Sequence, residues 1–192
     1  AIQDFDAILI GSGQGGKPLA IDLAKAGRQT ALLERDHLGG SCVNTGCTPT
    51  KTMVASARVA HLAGRGKDYG VEIPPFTVNL ARVRERKQQM VDAFRRGSEK
   101  AVDGTDGLTL FRGHARFVGS HGIEVQTENG EVDRLKSKLI VINVGTRPVI
   151  PPIEGLDAIP FLDSTTIQEL VEVPEHLLIM GGGYIGLEFG QM

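Results

Sequence analysis

The chain has 192 residues and a formal net charge of -2, and 25 of its residues are glycine. This length suits one domain of ordinary size together with a piece of another. The charge balance gives no basic footprint for nucleic acid, and no apolar run is long enough to span a membrane. Asp4 and Asp6 stand where a signal peptide would carry Lys or Arg. We therefore expect a cytoplasmic protein with neither a nucleic-acid nor a membrane partner.

The first part of the chain predicts a β-α-β unit. A short buried strand over residues 6–10 leads into a glycine turn, and a helix follows from Lys17 to Ala26. Gly27 ends that helix, and Thr30 to Glu34 form the second strand. The fold class that this order predicts is α/β with a Rossmann-like parallel sheet.

The glycine turn has the spacing Gly11-x-Gly13-x-x-Gly16 between a strand and a helix. The first glycine permits a tight turn, the second lets the backbone approach a pyrophosphate, and the third allows close packing of helix and strand. Glu34 lies 18 positions after Gly16, where a carboxylate accepts hydrogen bonds from ribose hydroxyls. The competing interpretation is a turn without a ligand, in which Glu34 is a solvent-facing strand end.

The middle of the chain predicts two helices. A glycine loop begins at residue 39 and becomes helical from about Thr50, residues 63–77 form a loop, and a long helix runs from about Val78 to Val102. The basic run over residues 82–87 fits a solvated helix face better than an anion site.

Residues 108–144 predict strands joined by tight turns, with a hairpin at Glu128-Asn129-Gly130. The apolar run from Leu139 to Val144 predicts a central strand that is covered on both faces. A short helix is expected near 164–171. A strand at Leu177–Met180 and a second glycine turn then predict the truncated start of another nucleotide-binding domain.

Cys42 and Cys47 lie five positions apart at the predicted start of a helix. Two thiols at this spacing can close a small disulfide, and the helix N-terminus and a nearby lysine favour a thiolate. A structural zinc site needs four ligands, and His37 and His61 show no ligand spacing. No metal site is therefore expected, and an inert buried pair is the remaining alternative.

The segment from Gly39 to Lys51 resembles the redox motif of the class I pyridine nucleotide-disulfide oxidoreductases, a family that includes mercuric reductases, dihydrolipoamide dehydrogenases and glutathione reductases. Both cysteines, Asn44, Gly46, Pro49 and Lys51 match, whereas Ser41 and Thr50 depart mildly from the pattern. The segments 143–148, 163–164 and 181–188 match the family too, although Asn143 and Val144 replace its usual Ala-Thr.

The resemblance implies an FAD-binding domain over residues 1–150, with a parallel sheet, an antiparallel β-meander and the redox-active disulfide. Residues 151–192 would hold the connection and the start of the NAD(P)-binding domain. The implied cofactors are FAD and either NAD or NADP.

The resemblance also implies residue roles. Cys47 would be the thiolate nearer the flavin, and Cys42 the thiol that meets the substrate. Lys51 would lie by the flavin N5 and pair with Glu188, and Tyr184 would cover the nicotinamide pocket. The backbone at Gly113–Ala115 would touch adenine; for His114 a plain surface position is the alternative. The residues implied to bind FAD or the nicotinamide nucleotide are Gly11, Gly13, Gln14, Gly15, Gly16, Glu34, Arg35, Gly40, Ser41, Cys42, Gly46, Cys47, Lys51, His114, Ala115, Val144, Gly145, Thr146, Gly181, Gly183 and Gly186.

The function implied is that of an FAD-dependent NAD(P)H oxidoreductase that passes electrons through Cys42 and Cys47 to a metal-ion or disulfide substrate. The threonines at positions 45 and 48 favour a mercuric-reductase-like enzyme. The alternative is a disulfide reductase of the dihydrolipoamide dehydrogenase or glutathione reductase kind. The full-length enzyme would be a homodimer. Residues 1–192 alone are expected to be inactive, and a non-catalytic flavin-binding module is the alternative for them.

Overall fold

The computed structural model of the protein describes all 192 residues, which form two compact units. One unit contains Ala1–Asn44 and Asp92–Arg147, and the other contains Thr45–Val91 and Pro148–Met192. None of the helices combines the length and the apolar character needed to cross a membrane.

The first unit begins with a short exposed strand, β1 (Ile2–Asp4), which the sequence did not predict because it lacks an apolar face. The predicted β-α-β unit follows as β2 (Ala7–Ile10), α1 (Gly16–Lys25) and β3 (Thr30–Glu34). After α1 the chain turns at Gly27, whose φ of +82° is a conformation that glycine adopts without strain. The prediction of this unit is confirmed to within a residue at each boundary.

A four-stranded parallel sheet has the order β4-β3-β2-β8, where β4 is Leu108–Arg112 and β8 is Ile140–Ile142. The prediction that the apolar run at 139–144 forms a central strand is therefore wrong, since β8 pairs only with β2 and lies at the sheet edge. Ile142 is 63% exposed. An apolar run indicates a strand but does not determine how many neighbours that strand has.

The second sheet contains the predicted meander, formed by β5 (His114–Phe117), β6 (Gly122–Gln126) and β7 (Val132–Lys136) in antiparallel pairing. The hairpin between β6 and β7 turns at Gly130, with φ of +85°. β1 completes this sheet by pairing in parallel with β7. The hairpin prediction is confirmed.

The core of the first unit lies on both faces of the parallel sheet. On one face, residues of β2 and β3 pack against the meander in a cluster of Ile8, Ala31, Leu33, Phe111, Ile123, Val125 and Leu135. On the other face, the alternate residues pack against helices in a cluster of Ala7, Leu9, Ala20, Leu32, Leu38 and Val102. The sheet is thus covered on both sides, as in a Rossmann-like fold.

Three helices lie between β3 and β4: α2 (Gly40–Asn44), α3 (Cys47–Gly64) and α4 (Leu80–Asp103). The sequence did not predict α2, and it placed the start of α3 three residues too late. The helix includes Pro49 because a proline in the first turn lacks only an N–H that has no helical partner there.

The basic run at the start of α4 forms a solvent-exposed helix face, as predicted, except at Lys87: Arg82, Arg84 and Arg86 are exposed, and Lys87 is buried. Lys87 is 2% exposed and donates to Glu169 Oε1 at 2.5 Å, and Arg84 donates to Oε2 of the same carboxylate at 2.7 Å. Arg86 donates to the Thr52 carbonyl at 2.8 Å. Arg84, Arg86 and Lys87 thus each donate a hydrogen bond to a residue of the second unit.

The last part of the second unit contains α5 (Tyr184–Gln191) and two short 3-10 turns, Leu156–Ala158 and Thr166–Glu169. The strand predicted at residues 177–180 is absent, and Leu178 is 81% exposed. A β-strand requires a hydrogen-bonded neighbour, and no segment of the 192 residues pairs with this one.

Asp163 begins the turn at Thr166–Glu169 and offers a stability test. Its Oδ1 accepts hydrogen bonds from the backbone N–H groups of Thr165 and Thr166, each at 2.8 Å. The bond from the Thr166 backbone, partly opposed by burial, lowers the pKa of Asp163. A lowered folded-state pKa means that this stabilisation is complete above the unfolded pKa of about 3.9 and is lost as the pH falls through the folded value.

We expect Asp163→Ala to reduce the free energy of unfolding by about 1 kcal/mol at neutral pH, as for the loss of a helix cap. The difference from wild type should narrow below about pH 4. Urea unfolding at several pH values measures it. Asp157→Ala is the matched control, because Asp157 makes no hydrogen bond through its side chain. An equal loss in both variants would contradict a stabilising role for the hydrogen bonds that Asp163 accepts.

Candidate nucleotide and redox site

The glycine turn of the first unit is closed so tightly that side chains do not fit. Gly11 has φ of +100°, and a Cβ at this position would lie 2.3 Å from the Asn143 carbonyl oxygen. A Cβ at Gly16 would lie 2.0 Å from the Gly11 carbonyl oxygen. Real Cβ atoms do not approach backbone oxygens this closely. The turn therefore exposes backbone at the N-terminus of α1, which is the arrangement that binds a pyrophosphate.

The Asn143 side chain packs against this turn from the end of β8. Its Nδ2 donates to the Gly11 carbonyl at 3.3 Å. A Cβ added to Gly13 would lie 3.1 Å from Asn143 Nδ2, and a Cβ added to Gly15 would lie 3.1 Å from Asn143 Oδ1. The departure from the family pattern at position 143 thus adds a contact to the glycine turn, and spacing alone did not indicate it.

The Glu34 carboxylate is bound to the glycine turn and does not simply face solvent. Its Oε2 accepts from the Ser12 backbone N–H at 3.0 Å and from Ser12 Oγ at 2.6 Å, and Oε1 accepts from Asp36 N–H at 3.1 Å. Ser12 is fully buried. A carboxylate has about four lone-pair positions, so acceptor capacity remains at Glu34 for one ribose hydroxyl.

The segment that carries Cys42 packs directly on the glycine turn. Gly39 and Gly40 have φ of +103° and +64°, and a Cβ at Gly40 would lie 2.7 Å from the Gly13 Cα. Gln14 Nε2 donates to the Gly39 carbonyl at 3.4 Å. Cys42 follows on α2 and is half-buried, while its neighbour Ser41 is exposed. A group held by the glycine turn would therefore lie beside the Cys42 segment.

Asn44 organises the same segment through its side-chain amide. Nδ2 lies within hydrogen-bond distance of the carbonyls of His37, Leu38 and Gly40, at 3.3, 3.2 and 2.9 Å. Oδ1 accepts from Arg95 Nε on α4. The motif indicated Asn44, whereas nothing in the sequence pointed to Arg95.

The remaining predicted contacts of the first unit lie at its surface. Arg35, His114, Val144, Gly145 and Thr146 are exposed, and Ala115 is half-buried. The backbone leading to His114 is fixed, because Gly113 N–H donates to the Glu34 carbonyl at 2.9 Å. The His114 side chain is exposed at the start of β5.

In the second unit, Cys47 is the first residue of α3 and is exposed. Gly46 precedes it as the N-cap, and the Gly46 carbonyl accepts the first helical hydrogen bond from Thr50 N–H at 3.1 Å. One turn into the helix, Lys51 Nζ forms an ion pair with Glu188 Oε1 on α5. This is the pairing that the resemblance implies.

The first glycine of the second glycine turn has nearly the same positive φ as the first glycine of the first turn. Gly181 has φ of +99°, and Gly183 is the N-cap of α5. A Cβ at Gly186 would lie 2.9 Å from Ile179 Cγ2, so the third glycine again allows close packing. Tyr184 is 79% exposed at the start of α5.

Each unit thus gathers part of the predicted site. The first unit brings together the glycine turn, Glu34 and the Cys42 segment, and the second brings together Cys47, Lys51, Glu188 and the second glycine turn. No group of three or more His, Cys, Asp or Glu side chains is placed to hold a metal ion.

Comparison with known proteins places these features in a family. The family model described as pyridine nucleotide-disulphide oxidoreductase matches residues 5–192. A mercuric reductase from Staphylococcus aureus is 36% identical over 191 residues, which are 98% of this chain and 34% of that enzyme. A dihydrolipoyl dehydrogenase from Bacillus subtilis is 32% identical over 197 residues, covering 98% of this chain and 40% of that enzyme.

Among solved structures, the Cu(II) complex of the HOCl-induced flavoprotein disulfide reductase RclA from Escherichia coli matches with a TM-score of 0.81 and 35% identity. The match covers 97% of this chain and 39% of that structure. The chain therefore spans between a third and two fifths of the length of these relatives. With its α/β fold, its glycine turns and its cysteine motif, the chain belongs to the pyridine nucleotide-disulfide oxidoreductase family.

Proposed function

We propose that this chain is the FAD-binding part of an NAD(P)H-dependent oxidoreductase whose electrons leave through Cys42 and Cys47. The observation that carries the proposal is the close packing of Gly40 on Gly13, where a Cβ added to Gly40 would lie only 2.7 Å from the Gly13 Cα. It puts a dinucleotide-binding turn beside a redox-motif cysteine. The absence of space for any Cβ at Gly11 and Gly16 fits a turn whose backbone N–H groups face a pyrophosphate.

Different residues of the chain would bind different parts of FAD. The N-terminus of α1 would hold the pyrophosphate, Glu34 would accept a ribose hydroxyl, and the backbone at His114 and Ala115 would contact adenine. Residues 1–150 would form the FAD-binding domain, and residues 151–192 the connection and the first part of an NAD(P)-binding domain. Bound FAD would supply the chemistry that carries an electron pair from NAD(P)H to a disulfide between Cys42 and Cys47, which would be reduced to two thiols.

The two thiols would transfer the electrons, and the charged residues near Cys47 would stabilise the charges that form. Cys47 would lie nearer the flavin, and Cys42 would release electrons to the substrate. Lys51, paired with Glu188, would hold a positive charge beside the flavin N5. Tyr184 would cover the nicotinamide site.

For the electron acceptor we propose a metal ion, in a mercuric-reductase-like reaction. The names of the mercuric reductase relative and of the RclA copper complex support a metal ion. The second candidate is a disulfide substrate, which the dihydrolipoyl dehydrogenase relative supports at a similar identity. A cytoplasmic homodimer belongs to the same proposal. With the full-length enzyme, oxidation of NADH or NADPH measured in parallel with mercuric ion, lipoamide or glutathione disulfide separates the two candidates.

Cofactor identity is the direct test. We expect heat to release from the purified protein a flavin with the absorption spectrum of FAD and its chromatographic retention. A nicotinamide nucleotide or FMN in the supernatant would contradict the proposal. Measuring the ratio of flavin to protein before heating controls for loosely held cofactor.

A further inference from the structure

Gln168 is a buried polar side chain that the proposed reaction does not use. It is 2% exposed, and its Nε2 donates to the Thr45 carbonyl at 2.8 Å and to the Ser164 carbonyl at 2.6 Å. A primary amide has two N–H hydrogens, so both are committed. A buried amide with both hydrogens bonded fixes the two carbonyls that it joins.

The Thr45 carbonyl is the last one before the helix start that carries Cys47. Gly46 is the N-cap of α3, has no side chain, and gives the helix no side-chain cap. Ser, Thr, Asp and Asn are preferred at this position because their side chains accept a hydrogen bond from the first turn. Here the carbonyl that precedes the cap accepts a hydrogen bond from a side chain outside the helix, that of Gln168.

Gln168 is itself held on both sides. Asp163 accepts the backbone N–H groups that open the turn, and Glu169 accepts from the buried Lys87 and from Arg84. Burial opposes the charge on Glu169, but the hydrogen bonds from Lys87 and Arg84 outweigh it and lower the pKa of Glu169. The turn at Thr166–Glu169 is therefore held in place by hydrogen bonds and ion pairs at both of its ends.

We propose that Gln168 is a positioning residue for the Cys47 thiol. By holding the Thr45 carbonyl, Gln168 orients the first turn of α3 and with it the Cys47 sulfur. The inference rests on the proposed function, because it concerns the thiol assigned to the flavin. The competing role is structural only, in which Gln168 attaches residues 163–169 to α3 without influence on the thiol.

The test uses the FAD-loaded protein after reduction with one equivalent of dithionite. Gln168→Met keeps the length of the side chain and removes both donors. We expect it to lower the long-wavelength charge-transfer absorbance at least threefold. Gln89→Met is the matched control, since Gln89 is an exposed glutamine on α4, and it should leave the absorbance unchanged.

A second variant separates the two hydrogen bonds. Gln168→Asn keeps an amide but is one methylene shorter, so it cannot make both hydrogen bonds with the wild-type geometry. We expect it to lose the bond to the Thr45 carbonyl and to keep the local bond to the Ser164 carbonyl. It should lower the absorbance as Gln168→Met does, with an unfolding temperature close to that of wild type. Full absorbance in both folded variants would overturn the proposal, and a structural role alone would change only the unfolding temperature.

The wild-type protein provides a measurement that does not depend on a folded variant. In NMR spectra, the side-chain amide protons of Gln168 should exchange slowly with water and shift when the thiols are oxidised. Rapid exchange, or no shift, would overturn the positioning role. If the wild type binds FAD but shows no charge-transfer absorbance, the assignment of Cys47 fails, which is a different result from an unchanged variant.

Discussion

Replacing Gly16 with alanine should weaken FAD binding by at least a hundredfold. The added methyl carbon would lie 2.0 Å from the Gly11 carbonyl oxygen and 2.8 Å from Asn143 Nδ2. Gly11 cannot move away freely, because its N–H donates to the Leu33 carbonyl at 2.8 Å and its carbonyl accepts from Asn143. The clash must therefore distort the turn that would face the pyrophosphate of bound FAD.

The expected size follows from the energy of overpacking. An extra methyl group in a closely packed site costs about 1–3 kcal/mol, and each 1.4 kcal/mol is a tenfold change in affinity. Because the added Cβ would lie 2.0 Å from a backbone oxygen, we expect the cost at Gly16 to lie at or above the upper end of this energy range. Titration of the apoprotein with FAD, followed by flavin fluorescence, measures the change.

The matched control is Gly97→Ala, in the exposed middle of α4. An ideal Cβ there meets nothing within 4 Å, and alanine favours a helix over glycine by about 1 kcal/mol. This variant should bind FAD as the wild type does and should unfold at a slightly higher temperature. Wild-type affinity in Gly16→Ala would show that the turn does not hold the cofactor.

The parts of the fold that could be predicted are those whose signals lie close together in sequence. The β-α-β unit follows from the apolar runs on either side of the Gly11–Gly16 turn, and the hairpin from the turn at residues 128–130. In each case the residues that determine the conformation are neighbours in the chain. Tertiary partners were not needed for these predictions.

The errors occurred where a distant partner decides the structure. Whether residues 139–144 form an edge or a central strand depends on neighbouring strands, and whether residues 177–180 form a strand at all depends on one. Lys87 is in a run that resembles a solvated face. Its burial depends on Glu169, which is 82 positions away.

The same limit applied to the candidate site. The motifs indicated the glycine turn, Glu34 and the pair of Lys51 with Glu188, because the family pattern carries that information. They did not indicate the contacts of Asn143 with Gly11, of Gln168 with Thr45 or of Arg95 with Asn44. These partners are 132, 123 and 51 positions apart, and no periodicity joins them.

The two cysteines should give opposite results when each is changed to serine. In the FAD-loaded protein, Cys42→Ser should show the long-wavelength charge-transfer absorbance without any reductant, since Cys47 would be left as an unpaired thiolate beside the flavin. Cys47→Ser should lack this absorbance before and after reduction. The double variant, which should bind FAD and show no absorbance in this region, is the control for the flavin site itself.

Thiol reactivity provides an independent measurement, because the structure and the proposed site predict different orders. Cys47 is exposed at the start of α3 and Cys42 is half-buried on α2, so exposure favours alkylation of Cys47 in the protein without FAD. Bound FAD would cover Cys47 and leave Cys42 facing the substrate. We therefore expect the reduced, FAD-loaded protein to alkylate Cys42 several times faster than Cys47, as read by mass spectrometry of the labelled peptides. Faster alkylation of Cys47 both with and without FAD would mean that the two roles are exchanged. Charge-transfer absorbance in Cys47→Ser and not in Cys42→Ser would mean the same.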